Sequence, residues 1–148
     1  MPSIIQYALA FEALATAPPG ALLAIAPNWV LSKLLPTTTI LAGIPASTTS
    51  LAQIVGALTV TLTVPLALSI PDRPHVAEVR RMAYWLLGAG EVLLIPLLLT
   101  KEGSSGFEDG ILRTGASQMA PFLIWRAIVL FGKPEWLAGG SKLEKKTQ

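Results

Sequence analysis

Two acids stand where apolar sequence surrounds them: Glu12 in "YALAFEALATA" and Glu91 in "WLLGAGEVLLIPLLLT". Four further polar side chains interrupt comparably apolar stretches: Tyr7, Gln53 in "LAQIVGAL", Gln118, and Arg126 in "FLIWRAIVLFG". Burial disfavours the charged form of a carboxyl. One acid can therefore keep its proton at neutral pH while a partner, hydrogen-bonded or beside a cation, stays ionised. Such a pair donates a proton at one point and accepts one at another. That suits epoxide opening, where the ring oxygen is protonated as a water or hydroxyl is activated, and also double-bond isomerisation or cation-initiated cyclisation.

The surroundings decide whether such a pair is real. Of 148 residues, 52% are hydrophobic and 14% charged, and the mean hydropathy is +0.59, too apolar for an ordinary soluble domain of this size. The composition predicts an integral membrane protein. There is no cysteine and one histidine, His75, so neither a thiolate nor a histidine-cluster metal site is expected, and no metal or cofactor is implied. No phosphate-cradling glycine loop or dinucleotide fingerprint is present. The net charge is only +2, with the basic residues in one loop and the tail, which gives nucleic-acid binding no support.

Four apolar segments emerge, at about residues 3–26, 47–70, 79–100 and 115–132, each near the ~20 residues a helix needs to cross the hydrocarbon. The first resembles a signal peptide, but no Lys or Arg precedes Lys33 and Glu12 interrupts it, so it is read as a membrane helix. Between the segments lie "PNWVLSKLLPTTTILAGIPAS", "PDRPH" and "KEGSSGFEDG", all turn-rich. An all-α, integral membrane four-helix bundle follows, residues 1–132, with a polar, mobile tail over 133–148. Pro65 and Pro96 are expected to kink or end their helices and Pro18 with Pro19 to break the first, opening a cavity. Gly56, Gly88 and Gly90 are expected to allow close helix contact.

With four spans the N-terminus, second loop and tail share a side. They carry Arg73, Arg80, Arg81, Lys133, Lys142, Lys145 and Lys146, against Lys33, Lys101 and Arg113 opposite; seven against three predicts both termini cytoplasmic. Trp29, Trp136, Tyr84 and Trp85 fall near segment ends, where rings anchor to the interface. Counted from the cytoplasmic end, Glu12 lies roughly 13 Å deep, Glu91 roughly 17 Å and Arg126 roughly 9 Å, so the three could meet, and Gln53 also falls near the middle. A charge at mid-bilayer costs about 2.5 to 3.5 kcal/mol even on the lenient scale, which favours a functional role for the glutamates over one as packing glue. Arg126 is shallow enough to snorkel, and that is the simpler expectation for it. Glu108 and Asp109 are most simply solvated, although their loop could fold over the bundle mouth.

The arrangement "FEALATAPPGALLAIAPNW", "LAQIVGAL", "GAGEVLLI" and "FLIWRAIVLFG" resembles a family of small four-helix fungal membrane proteins. Among these are the membrane-bound epoxide hydrolases and cyclases of fungal polyene polyketide pathways of the aurovertin, citreoviridin and asteltoxin type. The resemblance runs from Tyr7 to Gly132 through short apolar motifs. It implies that Glu12, Gln53, Glu91 and Arg126 occupy the family's polar positions. In the wider family the third-helix acid is often followed three residues later by histidine; here that position is Leu94.

Joined to the residue reading, the resemblance leads to a membrane epoxide hydrolase or cyclase acting on a lipophilic polyketide. Glu12 and Glu91 would be the acid/base pair, Tyr7, Gln53, Gln118 and Arg126 would orient substrate or water, and Arg126 would hold one carboxylate ionised. The endoplasmic reticulum is the expected membrane for such a eukaryotic chain. Membrane lipids and a lipophilic small molecule are the expected partners, and a homodimer could complete a cavity that four helices alone keep small. Two other readings stand beside it: a sterol-isomerase-like or terpene-cyclase-like enzyme, and a non-catalytic scaffold in which the glutamates only pack helices.

Overall fold

A computed structural model describes residues 3–138. Its long helices are α1 (Ile4–Ile25), α4 (Ala46–Ser69), α5 (Val76–Lys101) and α6 (Ile111–Ala127), with two short ones, α2 (Pro27–Leu34) and α3 (Thr37–Ala42), between the first pair. A π turn, Ile128–Gly132, extends α6, and a 3-10 turn, Pro134–Ala138, follows. No strand occurs among the described residues. Four stretches, Ile4–Ile25, Ala46–Ser69, Val76–Lys101 and Ile111–Gly132, are long and apolar enough to cross a membrane, and the protein is an all-α four-helix membrane bundle.

Its surface confirms the solvent. Phe11, Leu14, Leu93 and Phe131 are all more than 60% exposed and are only a few of many such side chains. Apolar patches this extensive are not sustained in water.

Pro18 and Pro19 do not break α1, against the sequence expectation, and Pro65 and Pro96 do not end α4 and α5, which run on through them. In lipid an ended helix would strand several backbone groups, whereas a proline inside one forfeits a single hydrogen bond, so the helix persists. In the first connection the prolines start helices instead: Pro27 opens α2, while Pro36 and Pro45 immediately precede α3 and α4, a position where a fixed φ and a missing N–H are no handicap. The expected loop is therefore largely helical and buries Leu31 and Leu35.

The bundle is built as two close pairs, α1 with α4 and α5 with α6, joined mainly by α4 against α5. Gly56 makes the first pair possible: a Cβ there would lie 2.4 Å from the Ala24 nitrogen and 2.7 Å from the Gly20 oxygen. Gly88 faces Arg126, with its would-be Cβ 3.9 Å from Cδ, whereas Gly90 meets nothing within 4 Å and makes no close helix contact.

One end of the bundle gathers both ends of the described chain and the α4–α5 turn. Gln6 Nε2 donates to the Ile70 carbonyl at 2.9 Å, and Ile5, Leu9, Leu66, Tyr84, Val129 and Leu137 form the main core there. Leu137 lies beyond the expected bundle boundary at 132, so the 3-10 turn belongs to the bundle and not to the tail; residues 139–148 fall outside the described part. At the opposite end the first and third connections meet. The Glu108 N–H donates to the Leu34 carbonyl at 3.0 Å, and Phe107 packs on Leu31, Leu35 and Ala52. Glu108 and Asp109 themselves are exposed. Glu102 accepts from the Gly110 N–H at 2.5 Å and from the Arg113 N–H at 2.9 Å, supplying a carboxylate to the positive end of α6.

Candidate active site

Along α5 the buried positions are Val76, Arg80, Ala83, Tyr84, Gly88 and Glu91, spaced by three and four as one helical face requires. On α1 they include Ile5, Leu9 and Glu12, and on α6 with its π turn Arg126 and Val129. The charged residues Glu12, Arg80, Glu91 and Arg126 thus lie on the inward faces, as expected where lipid is the solvent.

Glu12, Glu91 and Arg126 converge. The Arg126 guanidinium donates through Nη2 to Glu12 Oε2 at 2.9 Å and through Nη1 to Glu91 Oε1. The three are 2%, 8% and 4% exposed respectively. Arg126 therefore does not snorkel to the interface; it turns inward. Two carboxylates from different helices offer more than a shallow position gains, and its five-donor fork can serve both at once. Because Glu12 sits on α1 while Glu91 and Arg126 sit on α5 and α6, the guanidinium also ties the two helix pairs together.

Aromatic rings complete the surroundings. The guanidinium carbon lies 5.8 Å from the Tyr84 ring centroid and 6.0 Å from that of Phe122, within cation–π range. Tyr84 is fully buried, and its hydroxyl accepts a hydrogen bond from Trp125 Nε1 at 3.1 Å. Tyr84 and Trp136, expected as interface anchors, are instead packed into or against the core. Among the described residues, Glu12 Oε1, Glu91 Oε2 and Arg126 Nε are buried with no hydrogen-bond partner. Each acid thus keeps one buried oxygen without a donor, and buried unpaired polar atoms in a native structure ask for an explanation.

Beside the cluster, between α5 and α6 with its π turn, lies a cavity of about 410 Å3, open on one side and lined by Tyr84, Gly88, Leu123 and Arg126 within and by Trp85 and Phe131 toward the bilayer. Arg126 is the one charged residue in its wall. The π turn begins two residues after Arg126, at Ile128, and such turns are frequent at functional sites.

Three expected site residues do not join the cluster. Tyr7 is 64% exposed on the lipid face of α1. Gln53 is exposed and reaches only the Ala24 carbonyl, at 3.5 Å; Ala24 is twelve residues beyond Glu12, about 18 Å along the helix. Gln118 is exposed beside Glu108 and Asp109, eight residues before Arg126 and about 12 Å from it along α6. An uncharged polar side chain in a span costs less to leave outward than a charge does, and its depth alone does not say which way it turns.

Arg80, counted in the sequence only as a loop charge, is fully buried. It donates to the carbonyls of Ser69 (2.9 Å), Ile70 (3.2 Å) and Leu137 (3.1 Å) and pairs with Asp72 at 2.9 Å. Its role is to clamp the α4–α5 turn to the 3-10 turn. The spacing Arg80, Tyr84, Gly88, Glu91 was the signal that could have placed both Arg80 and Tyr84 on the inward face. No group of three or more His, Cys, Asp or Glu side chains able to hold a metal converges among the described residues.

Comparison of the chain with protein families, with curated proteins and with solved structures gives no match in any of the three.

Proposed function

We propose that the protein is a membrane-embedded hydrolase or cyclase that opens epoxides of a lipophilic polyketide by carboxylate acid/base catalysis at Glu12 and Glu91. The observation that carries this reading is the pair of acids held on one buried guanidinium, each with an oxygen left free, beside an apolar cavity open to lipid. Two carboxyls and one guanidinium are electrically neutral when a single proton is shared between the acids, and a low-dielectric site favours neutrality. The protonated acid gives that proton to the epoxide oxygen as its C–O bond breaks. The ionised acid takes a proton from water as the water oxygen bonds to the ring carbon, and the product is a diol. Where a hydroxyl of the same molecule replaces water, the product is a cyclic ether. The proton then sits on the second acid, and its return through water resets the pair. Arg126 orients both carboxylates and keeps one ionised, in line with the likeness of the motifs around these residues to the fungal polyene epoxide hydrolases. Fungal secondary metabolism, the endoplasmic reticulum membrane and cytoplasmic termini complete the reading.

The test is turnover of a synthetic polyene bis-epoxide by purified protein in 18O water, with Glu12→Gln and Glu91→Gln proteins of matched yield and fold. Labelled diol, or cyclic ether, from the wild type and at least 100-fold loss in either variant is expected, since positioned acid/base groups contribute about 10²- to 10⁴-fold. An untouched epoxide, or full activity in both variants, overturns the reading and favours a structural triad.

A further inference from the structure

The triad is closed off in this structure: Glu12, Glu91 and Arg126 are at most 8% exposed, so a lipophile reaches them only where the bundle can part. Around the bundle, α1 packs on α4, α4 on α5 and α5 on α6, each through backbone contact. The cavity at the α5–α6 seam is no way in, because neither acid lines it. The remaining seam, between α6 and α1, has almost no close backbone contact. Toward the ends of the described chain it is sealed by Ile5 and Leu9, packed with Val129 and Leu137. Past Glu12 the next buried residue of α1 is Gly20, which lies against Thr59 and Gly56 of α4 and not against α6.

At the level of the triad two contacts cross this seam. One is the Glu12–Arg126 ion pair. The other is an aromatic stack, Phe11 on Phe122, with centroids 6.2 Å apart and planes 22° from parallel. Phe11 is the chain neighbour of Glu12, and Phe122 precedes Arg126 by about one helical turn. The Phe122 ring lies 6.0 Å from the guanidinium carbon and is half-buried, while Phe11 is 64% exposed. Exposure therefore rises outward from the guanidinium through Phe122 to Phe11, and the two rings are the layer between triad and lipid on this side. Phe122 is held by its cation–π contact. Phe11 turns most of its surface to lipid, and rotation of an exposed side chain is far faster than separation of packed helices.

We propose that the α1–α6 seam is the entrance from the bilayer to the triad and that Phe11 is its gate, swinging off Phe122 to admit a lipophile to Glu12 and Glu91. The inference rests on the reading of the two acids as the reacting pair, but its test reads access and not turnover.

The experiment is photolabelling of the full chain in lipid nanodiscs with a small membrane-soluble aryl diazirine, whose carbene inserts into the side chains it meets. Mass spectrometry compares labelling of Glu12, Glu91 and Arg126 with that of the lipid-facing Leu14 and Leu93. The minor state of a two-state element is commonly about 0.1 to 10% populated, so Phe11→Ala, which removes the gate, should raise labelling of the triad at least about tenfold. Phe11→Trp, with a larger ring, should leave it at or below the wild-type level. Phe131→Ala, at the α5–α6 cavity, should leave it unchanged. Circular dichroism and the SDS unfolding midpoint check that each variant keeps the fold. Triad labelling no higher in Phe11→Ala than in wild type, the same rise in Phe11→Trp, or an equal rise in Phe131→Ala would overturn the inference. Epoxide turnover measured in parallel separates it from the proposed reaction. The expected labelling without turnover upholds the entrance and removes the epoxide reading, whereas turnover with labelling unmoved by Phe11→Ala overturns the entrance alone.

Discussion

Replacing Arg126 by methionine tests the triad directly, because the size of the effect depends on what the guanidinium does. In the native protein it holds Glu12 Oε2 and Glu91 Oε1, and the other oxygen of each acid is already without a partner. Arg126→Met therefore leaves four carboxyl oxygens buried and undonated. Removing one member of a buried ion pair costs about 3 to 5 kcal/mol. If the contacts were ordinary neutral interhelical hydrogen bonds, each would contribute about 0.6 kcal/mol in a membrane protein, and the two together little more than 1. The charged arrangement predicts the larger figure, with Arg126→Met destabilising by about 3 kcal/mol or more. The companion variant is Glu12→Gln, Glu91→Gln and Arg126→Met together. Its amides carry no charge that needs the guanidinium, so it should recover at least half of the loss. Reversible unfolding in mixed micelles with increasing SDS, followed by tryptophan fluorescence and circular dichroism, gives both values. Effects that add to within about 0.5 kcal/mol would mean that the three side chains are energetically independent, and the argument for a coupled triad would fail.

Two further outcomes follow from the packing. Gly56→Ala sets a methyl against the α1 backbone at 2.4 to 2.8 Å, so the α1–α4 pair must separate at a cost of about 1 to 3 kcal/mol. Gly90→Ala, with nothing within 4 Å, should lie within about 0.5 kcal/mol of wild type; equal SDS midpoints for the two would contradict the seam. Arg80→Met should cost about 3 kcal/mol or more by stranding three carbonyls, whereas Asp72→Asn, at a side chain 45% exposed, should cost no more than about 1. Thermal unfolding of the two in detergent checks this, and a reversed order would refute the clamp.

Much of the architecture was legible from composition and run length, because a chain in lipid has few ways to satisfy its backbone. The four spans fall within a few residues of the apolar segments, as at Ala46–Ser69 against 47–70. The glutamates were legible for the same reason: a charge within a span has to find the interior. What failed were inferences from single residues. Pro18 and Pro19 read as helix breakers by the rules of water, where a freed carbonyl is solvated, yet α1 continues through them. Tyr7, Gln53 and Gln118 read as interior because they are polar, but an uncharged side chain is not forced inward as a charge is, and all three face out.

The sequence by itself determined that four helices cross a membrane and that two acids and an arginine lie at depths from which they could meet. Only the tertiary structure decided that they do. Arg126 could satisfy its charge by reaching the interface or by reaching Glu12 and Glu91, and depth along its own helix does not distinguish the two. Rotation of each helix about its axis does, and that rotation is set by contacts made elsewhere: Gly56 against the α1 backbone, Arg80 across the chain turns, and Tyr84 packed beneath the guanidinium.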